Sequence, residues 1–162
     1  MASTLEAFLL AQVAALTIPI SVTPVSTASS GTATSGTTEE FDAVLGYYQV
    51  SLVAGRRYLA VMNNLIVGAT VATDLYSLRI RNSGSSSNPT AASTAVAYAQ
   101  WYCPAVGGAG EENVIVAGSF IAPTNGINTF GFSAQRAAGT GALTPLSNTP
   151  PRELYVMYLG VV

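Results

Sequence analysis

The chain has 162 residues, enough for one domain with a hydrophobic core, and carries six basic and eight acidic side chains for a net charge of −2. Every base is arginine; histidine and lysine are absent, which removes imidazole-based triads, histidine metal sites and the basic face that phosphate contacts require. Charged residues make up 9% of the chain, against about 25% in ordinary soluble domains, so the composition predicts a surface partly covered by other subunits, the alternative being an uncharged β-domain kept soluble by Ser and Thr.

Residues 1–20 read as a helix. Ser3 and Glu6 form a capping box, in which hydroxyl and carboxylate each satisfy an exposed backbone donor. Leu5, Leu9, Val13 and Leu16 recur at helical spacing with Phe8 beside them, among good helix formers, until Pro19 ends the segment. A helix this short is marginal alone in water, so the stripe Leu5, Phe8, Leu9, Val13 and Leu16 must dock. Its own sandwich and a partner or sister subunit are both open as the acceptor. No apolar run reaches the ~18–20 residues needed to cross a bilayer. The nearest, Leu5–Val22, is interrupted by Glu6, Gln12, Thr17 and Pro19, and no positive charge precedes it as a signal peptide requires. The expectation is no membrane insertion.

Residues 21–40 are rich in Ser, Thr, Ala and Gly and read as a linker arm. Strand and turn patterns then fill residues 41–162. Leu45–Val53 alternates, and Ala54–Gly55 leads into Arg57–Leu65 as in a hairpin. Leu75–Arg81 places Tyr76, Leu78 and Ile80 on one face and Ser77, Arg79 and Arg81 on the other. Ala95–Cys103, Asn113–Ile121, Asn128–Arg136 and Glu153–Val161 are four further β-rich runs, with loops at 82–89, 104–110, 123–126 and 139–151. Seven to eight strands with no interleaved helices predict an all-β fold, an antiparallel β-sandwich or jelly roll.

The chemistry-bearing residues are few. Cys103 is the one cysteine, in an apolar stretch beside Trp101 and Tyr102, and reads as a buried small hydrophobe. Glu39, Glu40 and Asp42, and the pair Glu111 and Glu112, are the carboxylate clusters; solvated surface charge is the ordinary reading, against a two-carboxylate glycosidase. No motif implies a catalytic residue, a cofactor or a metal. Trp101 and Tyr102 are the candidate ligand surface for a sugar, although alternation sets Tyr98 and Tyr102 on one face and Trp101 on the other. Arg57, Arg79, Arg81, Arg136 and Arg152 lie on strands or at strand ends, where pairing with Asp74 and Glu153 is expected.

Four stretches carry a family resemblance. Gly55-Arg-Arg-Tyr58, Leu78-Arg-Ile-Arg81, Pro89-Thr-Ala-Ala-Ser-Thr94 and Arg152-Glu-Leu-Tyr-Val156, in that order between Phe41 and Gly160, resemble the β-sandwich domain of minor tail and other virion surface proteins of actinobacterial tailed phages. Arginine without lysine, with abundant Ala, Gly and Val, fits a GC-rich host of that kind. The resemblance implies an oligomeric virion protein with no catalytic residues to carry over. The expectation built on it is a non-enzymatic homotrimer at the particle surface contacting phage capsid or tail proteins. The net charge of −2 argues against nucleic acid. The resemblance leaves capsid and tail both open. The short arm before the sandwich favours a small accessory subunit such as a capsid decoration protein. A receptor- or carbohydrate-binding module of a phage tail, meeting a host-surface glycan, is the alternative.

Overall fold

The computed structural model describes residues 21–24, 36–105, 111–146 and 152–161. The helix expected over residues 1–20, with its stripe Leu5, Phe8, Leu9, Val13 and Leu16, lies outside the described residues, as does most of the arm over 25–35.

Ten strand segments follow in order: β1 (Ser21–Pro24), β2 (Glu40–Phe41), β3 (Tyr47–Leu52), β4 (Arg56–Ala69), β5 (Leu75–Asn82), β6 (Thr94–Tyr102), β7 (Glu112–Ile121), β8 (Gly126–Ala138), β9 (Leu143–Leu146) and β10 (Glu153–Val161). They form two antiparallel sheets. Sheet A runs β1-β10-β4-β7, with β9 also on β4; sheet B runs β2-β8-β5-β6, with β3 also on β8. Because Ile66 and Val67 of β4 pair with β7 and β9 at once, β9 lies on the edge of β4 that β10 occupies further along. β2 and β3 likewise share one edge of β8, opposite β5. Each sheet is thus four strands wide.

The pairs β1–β10, β3–β8, β4–β7 and β5–β6 are nested, as though one long hairpin had been wrapped on itself. That nesting, with the successive pairs alternating between the two sheets, defines a jelly roll. All-β class, antiparallel pairing and sandwich architecture agree with the sequence reading, and Glu153–Val161 matches to the residue.

Three local expectations are corrected. Ala54–Gly55 is not a hairpin: β3 pairs with β8 and β4 with β10 and β7, so the turn carries the chain between sheets. Gly55 takes φ +75 there, and its N–H donates to Ala122 O at 2.9 Å, tying this arch to the β7–β8 arch. The arm does not begin at Ser21, since Ser21–Pro24 pairs with Glu153–Val156 as the edge strand of sheet A. Four residues ending in proline are too few to show alternation, and proline is tolerated at a strand edge. The loop expected over 139–151 contains β9, which pairs with Ile66–Ala69.

The core lies between the sheets. Tyr58, Ala60 and Met62 of β4 point inward, and so do Leu65, Val67 and Ala69. The bulge at Asn63–Asn64, with Asn64 at φ 53, re-phases the strand so that both triplets face the core. A chain of ring contacts at 5.7–5.9 Å, Tyr158–Tyr58–Phe120–Phe130, runs from sheet A into sheet B. On the β6–β7 side the backbones close tightly: a Cβ on Gly118 would lie 2.3 Å from Val96 O.

Candidate functional site

The outer faces of the two sheets differ in kind. On sheet B, β5 turns out Ser77, Arg79 and Arg81, which register with Gln100, Tyr98 and Ala95 of β6. From β8 come Gln135, Ser133 and Thr129, and from β3 Gln49. Ser77, Ser133 and Thr129 are buried on this face, where Glu39 lies across the arginines, while Tyr47, Tyr98, Tyr102 and Ile127 are 44–54% exposed. Tyr98 is 50% exposed, its hydroxyl 3.3 Å from Ser77 Oγ and the Arg79 guanidinium 5.4 Å from its ring centroid.

Sheet A carries mostly aliphatic side chains on its outward rows. Successive rows across β7, β4 and β10 read Ser119–Leu59–Met157 and Ala117–Val61–Tyr155, with Ile121 beside Arg57 at one end and Ile66 beside Asn113 at the other. Ile115, Ile121 and Leu159 are 63%, 50% and 52% exposed. Arg57 and Glu153 are the charged side chains of these three strands' outward rows among the described residues. Arg57 sits at one end, and Glu153, in register with Asn63, towards the other. The outward rows of these three strands are mostly apolar, interrupted by Ser119, Asn113 and Asn63.

The structure separates the candidate ligand pair. Tyr102 is 54% exposed on the outer face of sheet B, whereas Trp101 is buried. Trp101 stacks on Tyr76 at 5.9 Å, and its Nε1 donates to Glu112 Oε2 at 2.7 Å. Strict alternation along β6 forces the split, so Trp101 belongs to the core and a platform on this strand rests on Tyr98 and Tyr102. Cys103 is fully buried, as read from its neighbours, and its thiol contacts Ala105 O at 2.8 Å.

Glu39, Asp42 and Asp74 are engaged by structural partners, and Glu112 by the Trp101 indole. Glu39 reaches back over sheet B and receives Arg81 Nε and Nη2 at 2.8 and 2.6 Å, with Arg79 at 3.5 Å and the Ser133 hydroxyl beside it. Burial pushes the Glu39 pKa up, but the hydrogen bonds from Arg81 and Ser133 and the charges of Arg81 and Arg79 outweigh it and hold the carboxyl below its ordinary value. Asp42 forms a buried ion pair with Arg152 and also accepts the Val44 and Leu45 N–H groups at 3.0 and 3.1 Å. Asp74 accepts the Tyr76 hydroxyl at 3.1 Å and the N–H groups of Thr140 and Gly141. Burial first, then that hydrogen bond and the Asp74 charge, pushes the Tyr76 phenol above its usual range. The partners are therefore Glu39 for Arg79 and Arg81, and Asp42 for Arg152, in place of the expected Asp74 and Glu153. No group of three His, Cys, Asp or Glu side chains suited to a metal ion gathers among the described residues.

An open cavity of about 500 Å³ lies at the β5–β6 and β7–β8 connections, with Asn82, Ser83, Thr90 and Thr94 on one side and Phe120 and Pro123 on the other. Its lining is neutral, and the sequence reading did not anticipate it.

No family model matches this chain, and no curated protein matches it. Among solved structures, a chain from the "Structure of infectious bursal disease virus Gx strain" aligns with a TM-score of 0.38 and 13% identity, over 90% of this chain. The aligned region spans 37% of that viral chain. The jelly-roll assignment rests on this chain's own strand pairing.

Proposed function

We propose that this protein is a non-enzymatic structural subunit of a phage virion. In this reading it is an accessory capsid decoration or minor tail protein, exposed at the particle surface and assembled as a homo-oligomer, by expectation a trimer. One observation carries the reading: sheet A presents an apolar outer face, in a chain with so few charges that such a face has little to keep it soluble alone. The carboxylates support it, since Glu39, Asp42 and Asp74 are committed to guanidinium, hydroxyl and backbone partners. The sequence resemblance supplies the particle. A jelly roll by itself assigns no function.

The test is location. Purified virions of the encoding phage, labelled with antibody against this chain and imaged, are expected to carry label at symmetry-related surface positions. Particles free of the protein would refute the proposal.

A second reading is favoured by the outer face of sheet B, where Tyr98 and Tyr102 stand half exposed on either side of Gln100. Such a face suits a host-surface glycan, stacked on the rings and hydrogen-bonded by amides. Saturable binding on a glycan array, lost in a Tyr98→Ala, Tyr102→Ala variant, would establish it.

A further inference from the structure

We infer that the outer face of sheet A is the contact between copies of this chain. The inference rests on the structural reading above and names the partner for its apolar surface.

Size argues for a second copy. Strands β7, β4 and β10 at ~4.8 Å spacing and about nine residues at ~3.4 Å make a face about 14 Å wide and about 30 Å long. That footprint, increased by the relief of its side chains, approaches the ~600 Å² per partner at the lower end of specific stable interfaces.

Residues 1–20 join the sheet at Ser21, on its β1 edge, while Ile115, the most exposed large apolar residue among those described, lies on β7 at the opposite edge.

Charge points the same way. Arg57 and Glu153 have opposite signs and sit towards opposite ends of the face. Copies packed in opposite sense along the strands therefore bring Arg57 of one towards Glu153 of the other, with no like charges forced together.

Sedimentation of the full-length chain tests this. The wild type and a Tyr98→Lys variant, altered on the opposite sheet, are expected to sediment as two or more copies. So is a full-length Leu9→Asp, Val13→Asp variant. Ile115→Lys and Val61→Lys are expected to sediment as monomers while keeping the wild-type far-ultraviolet circular dichroism spectrum; Ile115 is exposed enough that its substitution leaves the core untouched. A monomeric wild type overturns the inference, and so does assembly that survives both lysine substitutions. Loss of assembly in the Leu9→Asp, Val13→Asp variant overturns it too, assigning the face to the N-terminal segment. A monomer that still decorates particles removes this inference alone, whereas an oligomer absent from particles removes the virion reading alone.

Discussion

Replacing Asp42 by alanine should be among the most damaging single changes in this protein. Asp42 stands in the β2–β3 turn of sheet B, and Arg152 immediately precedes β10 of sheet A, so their ion pair ties the two sheets together. The Arg152 side chain is 0% and that of Asp42 2% exposed; Arg152 meets Asp42 through Nη1, and its Nε and Nη2 have no hydrogen-bond partner among the described residues. Removing the carboxylate leaves a guanidinium buried without compensation, at a cost of about 3–5 kcal/mol. The N–H groups of Val44 and Leu45 lose their acceptor as well, adding about 1 kcal/mol each. The expected loss is about 5–7 kcal/mol, which for a domain of this size lowers Tm by about 10 °C or more. Urea denaturation followed by the fluorescence of Trp101, the single tryptophan and a buried one, measures it directly. A double variant, Asp42→Ser with Arg152→Met, removes both charges and keeps a capping oxygen, so it should recover most of the loss. A cost below ~1 kcal/mol for Asp42→Ala would refute the reasoning, because it would mean that the charge is not buried in solution.

Further outcomes follow from other contacts. Glu39 has a folded pKa below its ordinary 4.5. The stability it contributes is therefore complete above that value and lost as pH falls through the folded pKa. Acid titration of wild type and Glu39→Gln should show the two stability curves converging below about pH 4, and a constant gap would exclude the ion pair as cause. Gly118→Val places a Cβ 2.8 Å from Ala97 Cα as well as against Val96 O, and should lower stability by about 1–3 kcal/mol or more, read by the same denaturation assay. Deleting residues 1–20 should abolish incorporation into particles while the sandwich stays folded; normal incorporation would remove the anchoring role of that segment.

The fold was legible where a pattern is local. Alternation placed Tyr76, Leu78 and Ile80 on the inner face of β5, and it set Tyr98 and Tyr102 apart from Trp101 before any coordinates. What it could not supply is partnership. An arch and a hairpin look alike around Ala54–Gly55, because both need a tight turn between two alternating runs; only the pairing with β8, about 80 residues along the chain, tells them apart. β1 and β9 escaped notice for a related reason, since each is four residues long and derives its structure from the strand beside it. The ion pairs Glu39–Arg81 and Asp42–Arg152 bridge separations of 42 and 110 residues, across which composition carries no signal. The apolar face of sheet A was hidden differently. Its residues form the outward half of strands such as Arg57–Leu65, and only the register of β4 with β7 and β10 lines Leu59 and Val61 up with Met157, Tyr155 and Ala117 outside the core.

The most direct measurement of the central claim is hydroxyl-radical footprinting of the full-length protein across a dilution series. Met157 and Tyr155 report on the outer face of sheet A, and Tyr98 and Tyr102 on that of sheet B. The account predicts that modification of Met157 and Tyr155 falls as concentration rises and the face is covered, while Tyr98 and Tyr102 react equally throughout. Uniform modification of Met157 at every concentration, or protection confined to Tyr98 and Tyr102, would contradict it.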